Sequence, residues 1–196
     1  MKRLLTISIF FLPALLFAQQ KTGSFIKEHL YVKVSPALVF SIARKEAPQN
    51  GGGQVAPAIF GAAGAKIRYA ALGFSAGYFN LKEIAPVTLP IGADLTITDF
   101  KAKKAFPVIT AQWHKAHSTE NYGSGHYYYN ISGKDLFSIG AGVSFRILKT
   151  TKIQTTLSYS KLSCDAKVTY VNGPNRSDTY YKSPLEMAVL AASIVL

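Results

Sequence analysis

The chain has one cysteine, Cys164, so it can form no internal disulfide and no metal site built from several cysteines. Past its first residues it also lacks any unbroken apolar run of the ~20 residues that a spanning helix needs. A membrane crossing by helices is therefore excluded beyond the leader. Only a closed barrel could cross, because lipid leaves unpaired backbone groups uncompensated. Charge is sparse too. Only 16% of the residues are Asp, Glu, Lys or Arg, and with a mean hydropathy of +0.15 the composition is apolar for a soluble domain of 196 residues.

The opening residues, MKRLLTISIFFLPALLFAQQ, place Lys2 and Arg3 ahead of an apolar run from Leu4 to Phe17, followed by Ala18 and Gln19. This is the layout of a secretory signal peptide cleaved after Ala18. It predicts a division into residues 1–18 and one domain over 19–196. The alternative, an uncleaved anchor, would need a longer run. No cysteine follows the cut, so no lipoprotein anchor is expected. Carboxylates number 10 against 22 Lys and Arg, a formal charge of +12. In the cytosol such an excess would raise nucleic acid as a partner. Export redirects it to lipopolysaccharide phosphates, phospholipid headgroups and acidic glycans, and no nucleic acid is expected.

What the chain has in abundance is alternation. Over residues 29–44, Leu30, Val32, Val34, Pro36, Leu38, Phe40 and Ile42 alternate with Tyr31, Lys33, Ser35, Ala37, Val39 and Ser41, a strand with one apolar and one mostly polar face. A glycine-rich loop (45–55) leads to a second strand near 56–69, with Phe60, Ala62, Gly64, Lys66 and Arg68 on the inner face. After a tight turn near Ala70 a third runs to about Leu81. The fourth is the most regular: Val87, Leu89, Ile91, Ala93, Leu95 and Ile97 against Thr88, Pro90, Gly92, Asp94, Thr96 and Thr98. Past the turn Phe100 to Phe106, a fifth strand occupies about 107–116 and a tyrosine-rich loop about 118–130. A sixth strand (131–148), a short turn at 149–152, a seventh strand, a loop at 172–178 and an eighth strand from about Tyr180 complete the reading. In the eighth, Leu190, Ala192, Ile194 and Leu196 put even positions outward. Glu186 then shares the apolar face unless it reaches the interface or a bulge intervenes.

An even number of strands, joined alternately by tight turns and longer loops, predicts an all-β, eight-stranded antiparallel up-and-down transmembrane barrel with an apolar exterior and a polar, side-chain-filled lumen. The runs TLPIGADLTITDFKAKKAFPVITAQW (88–113) and DLFSIGAGVSFRILKTTKIQTTLSYS (135–160) resemble the OmpA/OmpX-like outer-membrane β-barrel family. There a Pro-containing strand, a lysine-rich turn and a Pro-started strand precede a glycine-alternating strand, a short basic turn and a Tyr-bearing strand. The resemblance implies the outer membrane of a Gram-negative bacterium, assembly by the barrel-assembly machinery, a monomer and no cofactor. Leu196 stands where such barrels usually carry an aromatic.

The inward set includes Lys33, Lys66, Arg68, Asp94, Gln112, His114 and Arg146. It reads as a buried polar network in which Asp94 neutralises cations, or as an ion pathway. HKAHSTEN (114–121) holds His114, His117, Ser118 and Glu120 near a strand end. A lipid A deacylase or acyl transferase would use such groups, but adjacent residues of an extended strand point to opposite faces, and a polar strand end is the plainer reading. His126 adds no metal-site spacing. Tyr122, Tyr127, Tyr128, Tyr129, Tyr170, Tyr180 and Tyr181 read as an interfacial girdle or as stacking surfaces for a glycan or peptide. Arg44, Lys45, Lys115, Lys161, Lys167, Arg176 and Lys182 are candidate partners for lipopolysaccharide phosphates. The expected function is non-enzymatic: envelope structure, adhesion or surface recognition. A lipid A-modifying enzyme and a soluble, lipocalin-like ligand-binding barrel are the alternatives.

Overall fold

A computed structural model describes residues 28–42, 54–81, 85–124, 127–148, 150–172, 174–182 and 184–196. The proposed leader, the glycine-rich first loop and His126 lie outside the described residues. Among the described residues nine strands form one sheet: β1 (Leu30–Ser41), β2 (Val55–Lys66), β3 (Ala70–Leu81), β4 (Ala85–Ile97), β5 (Phe106–Ser124), β6 (Tyr127–Arg146), β7 (Lys152–Asn172), β8 (Asn175–Lys182) and β9 (Leu185–Val195). Each of β1 to β7 pairs antiparallel with the next, β7 also pairs with β9, and β9 returns to β1, so the ring closes. β8 and β9 lie end to end along β7 in one register, Asp165 opposite Lys182 and Leu162 opposite Leu185. They are one strand interrupted near Pro184, which has no N–H to give the ladder. The barrel is therefore eight-stranded.

Period-two alternation decides which side of the wall each residue takes. Leu72 and Phe74 of β3 are 62% and 67% exposed on the outside, whereas Ala71 and Ser75 on either side of them are buried inside. Leu89, Ile91 and Leu95 of β4 and Phe137, Ile139 and Val143 of β6 also face out, and Asp94, Thr96 and Ser138 face in. In β9, Leu190 and Ile194 are outward and Met187, Val189, Ala191 and Ser193 buried, so even positions do face out. No register shift interrupts β9. Glu186 stays on the outer face directly across from Lys161 of β7, at the end of the apolar series.

An eight-stranded wall has a small radius, and its inner face cannot carry a side chain everywhere. At Gly92 a Cβ would lie 2.0 Å from the Trp113 carbonyl oxygen, and at Gly142 1.8 Å from that of Thr155. Backbone approaches so close require glycine.

Two expected loops are instead strand. β5 and β6 remain paired to Ser124 and Tyr127, so the supposed tyrosine-rich loop at 118–130 is mostly a hairpin arm. The supposed loop at 172–178 is the end of a second arm, with Asn172 paired to Asn175. Register shifts lie between Lys115 and Ser118 in β5 and between Gly133 and Leu136 in β6. A bulge of this kind changes the phase of alternation and sharpens the twist, which hid the continuation of both strands.

The lumen also differs from the expected polar filling. Its half toward the long hairpins is apolar, built from Val39, Phe60, Phe79, Leu81, Leu136, Leu162, Met187 and Val189. The polar groups occupy the storey below. At the short-turn end Tyr31 packs edge-on against Phe100 with centroids 6.1 Å apart, so the turn after β4 tucks an aromatic ring under the lumen.

Candidate functional site

The polar storey is organised by Asp94. Lys33 reaches from β1 across the lumen to ion-pair with Asp94 Oδ2 on β4, both side chains almost fully buried. Gln112, its cross-strand neighbour on β5, donates to the same oxygen at 2.7 Å. Tyr31 Oη donates to Oδ1 at 2.9 Å and Thr96 Oγ1 at 3.1 Å. Four donors thus surround one carboxylate, the arrangement that lets a buried ion pair repay its desolvation. The remaining lumen hydroxyls pair across seams, Ser35 with Ser193 at 2.7 Å and Ser138 with Ser160 at 2.6 Å.

His114, 0% exposed, turns toward β3, where its Nε2 lies 2.7 Å from Ser75 Oγ. Gly92 lies between them in the ladder, and its missing side chain lets the two meet. A serine hydrogen-bonded to an imidazole is the core of a nucleophilic dyad. Here both groups are buried, the imidazole stacks on Phe60, and His114 Nδ1 has no orienting partner among the described residues. The pair ties β3 to β5 across β4, and neither residue lines the lumen cavity. Ser75 went unnoticed in the sequence because its partner is 39 residues away. The other members of the HKAHSTEN group do not join it. His117 is exposed on the outer face, and the side chains of Ser118 and Glu120 lie outside the described residues.

Lys66, Arg68 and Arg146, expected in the same network, are placed elsewhere. Arg68 falls in the turn between β2 and β3, largely exposed and 3.8 Å from Asp99. Arg146 Nη2 donates to the carbonyls of Phe100 and Lys101 at 3.3 and 3.1 Å. Lys66 Nζ lies 5.9 Å from the Phe100 ring. All three gather at the short-turn mouth. Inside the lumen a cavity of about 30 Å³ is lined by Lys33, Gln112, Gln154 and several serines, and both amide atoms of buried Gln154 have no partner among the described residues. The space is enough for a water or two, not for a channel. No group of His, Cys, Asp and Glu suited to a metal occurs among the described residues.

The hairpin arms carry a second polar constellation, on their outer face. Asp178 of β8 accepts from Lys167 Nζ at 2.8 Å, Thr169 Oγ1 at 2.7 Å and Arg176 Nε at 3.3 Å. These bonds, led by that of Lys167, hold the Asp178 carboxyl down at about 2, and its proximity in turn raises Lys167. The Lys167 ammonium also lies 5.5 Å from the Tyr180 ring, and Lys134 pairs with Asp165 at 2.5 Å.

No protein-family model and no curated protein matches the chain. Among solved structures it is similar to Neisserial surface protein A, with 13% identity, a TM-score of 0.55 and coverage of 85% of this chain and 96% of the other. The outer-membrane protein AlkL, solved in lipid bilayers, aligns with 12% identity over 90% of this chain and 93% of its own, with a TM-score of 0.46. The likeness to the Neisserial protein is one of fold: a small, closed antiparallel barrel.

Proposed function

We propose that this chain is a non-enzymatic outer-membrane barrel of the OmpA/OmpX-like kind, serving envelope structure or surface recognition through its two projecting hairpin arms. The observation that carries this reading is the exterior. Leu72, Phe74, Leu95, Ile109, Trp113, Ile139, Leu157 and Ile194 are all exposed on it. The charged outer-face side chains Lys115, Asp135 and Lys161 stand where this belt stops. A water-soluble barrel reverses that arrangement, turning its apolar face inward. Lys115 Nζ lies 5.5 Å from the Trp113 ring, an ammonium and an indole at the belt's edge, where headgroups begin. Lys167, Arg176 and Tyr180 of the second arm supply hydrogen-bonding and stacking surface for lipopolysaccharide or a glycan. The buried Ser75–His114 pair, closed off from any acyl chain, argues against a lipid A-modifying activity.

Single cysteines test both membrane and orientation, with Cys164 replaced by Ala. Thr179→Cys on β8 should react with an impermeant maleimide on intact cells, and Lys103→Cys in a short turn only after the outer membrane is opened. Recovery of the protein in the soluble fraction with both positions equally reactive would overturn the proposal.

A further inference from the structure

We infer that the short-turn mouth of the barrel is a binding site for a phosphate-class anion. A cavity of about 270 Å³ opens there, lined by Lys66, Arg68, Lys101, Arg146 and Lys152 with Glu28 as the acidic side chain on its wall. Register explains the convergence. Arg146 ends β6 directly opposite Lys152, which begins β7, and Lys66 ends β2. The turn after β4 brings Lys101 beneath the lumen. Strands built to alternate would place these long cations at the rim in any case, but here all five line one space.

The carboxylates nearby do not neutralise the cluster. Asp99 faces Arg68 at 3.8 Å, and its Oδ1 is occupied by the Lys101 backbone N–H at 2.8 Å. Among the described residues Lys66, Lys101, Arg146 and Lys152 form no ion pair. Lys152 donates to the Asp99 carbonyl at 2.5 Å, and Arg146 to those of Phe100 and Lys101. These neutral acceptors orient the two groups without cancelling their charge. Each keeps donors in hand: an ammonium has three and a guanidinium five, and Arg146 Nε is buried without a partner. Like charges held together with free N–H groups form the complement of a tetrahedral oxyanion, whose several oxygens accept from a guanidinium fork and from ammonium groups at once. The same chemistry comes from two sources, the headgroup of an anionic phospholipid in the inner leaflet or a free phosphate.

The orientation of this mouth toward the periplasm rests on the proposed function, but binding itself does not. It is measured on the full chain folded in detergent, with folding of every variant checked by heat-modifiable gel mobility. Inorganic phosphate, followed by ³¹P NMR line broadening and calorimetry, should bind saturably and more weakly as salt rises. Arg146→Gln should weaken it about tenfold, the loss of a charged hydrogen-bonding partner. Lys66→Gln, which sacrifices no side-chain hydrogen bond among the described residues, should weaken it in the same direction, while Lys104→Gln in the neighbouring turn should leave it unchanged. In nanodiscs, competition of phosphate by phosphatidylglycerol but not by phosphatidylcholine identifies the headgroup as the source. Phosphate binding undisturbed by phosphatidylglycerol identifies a free anion. Absence of saturable binding, or equal binding by folded Lys66→Gln, Arg146→Gln and Lys104→Gln proteins, would overturn the assignment.

Discussion

Two ion pairs of the same chemistry sit in opposite surroundings. Lys33 and Asp94 meet inside the barrel with side chains 4% and 0% exposed, whereas Lys167 and Asp178 meet on the outer face of a hairpin arm, each 30% exposed. In the lumen there is space for only a water or two beside the pair, and each oxygen of Asp94 finds its donors in the chain. On the arm water supplies whatever the partners do not. The same contrast runs along β6 and β7 themselves, which leave the barrel half-way along their length. Below, a residue's face decides whether it points out from the barrel wall or into the packed lumen. Above, no described residue of β7 beyond Cys164 and none of β8 joins the lumen clusters, and alternation loses that physical reason.

The largest effect should come from cutting the inner pair. Asp94→Ala strands the Lys33 ammonium at the centre of the barrel and should cost about 3 to 5 kcal/mol of folding stability, read as the shift in a urea titration of the protein refolded into bilayers. The double replacement Lys33→Met with Asp94→Leu should recover most of that loss, because two buried charges disappear together. A single Asp94→Ala that unfolds with the native protein would mean that water reaches the pair and the lumen is open.

Next in size is charge placed on the belt. Ile91→Arg should cost about 2 to 4 kcal/mol near the bilayer midplane, against Ile91→Ala as the volume control. Ser163→Arg, on the outer face of β7 beyond the belt, should stay within about 0.5 kcal/mol. If the two arginines cost the same, the belt does not face lipid. The stacked storeys of the lumen bear on a further measurement: planar-bilayer recordings of the native barrel should show no stable open level. Phe79, Leu81, Leu136, Leu162 and Met187 close the upper half, and the cavity below holds about 30 Å³. A persistent conductance would mean that the apolar storey parts.

How much of this was legible follows from where alternation had a cause. The fourth and sixth strands announced their faces because their apolar residues alternate without interruption over ten positions or more. The arms did not, since YYYNIS and KVTYV carry strong β propensity but no two-sided pattern, and polar residues followed by glycine read as loop. The apolar upper lumen was hidden for a related reason. Around Val39 and Val189 both faces are apolar, so the sequence offers no contrast to mark the inside. Side-chain partners were the least legible. Asp94 was an evident centre, being the lone carboxylate of its strand, but nothing local tied Ser75 to His114 or gathered Lys66, Arg146 and Lys152 at one mouth. The first meeting is made across β4 at Gly92 and the second by the curvature of the wall around one mouth, and neither leaves a local mark in the sequence.

The smallest effect sharpens the comparison from the solvated side. Asp178 is held at about 2 against an ordinary 3.8 by Lys167, Thr169 and Arg176. A depressed carboxyl stabilises the arm above its ordinary value, and that contribution disappears as pH falls through about 2. Lys167 is raised, so its share is present below its ordinary value and is lost only at still higher pH. Between these limits the cluster should be insensitive to pH, and Asp178→Asn should leave the unfolding midpoint of the barrel unmoved, as expected for a solvated pair. The measurement is a ¹³C titration of the Asp178 carboxyl in nanodiscs, repeated at high salt, where screening should move the midpoint back toward the ordinary range. A midpoint already at the ordinary value in low salt would show that the hairpin does not hold these side chains together, and that order in the arms stops at the backbone ladder.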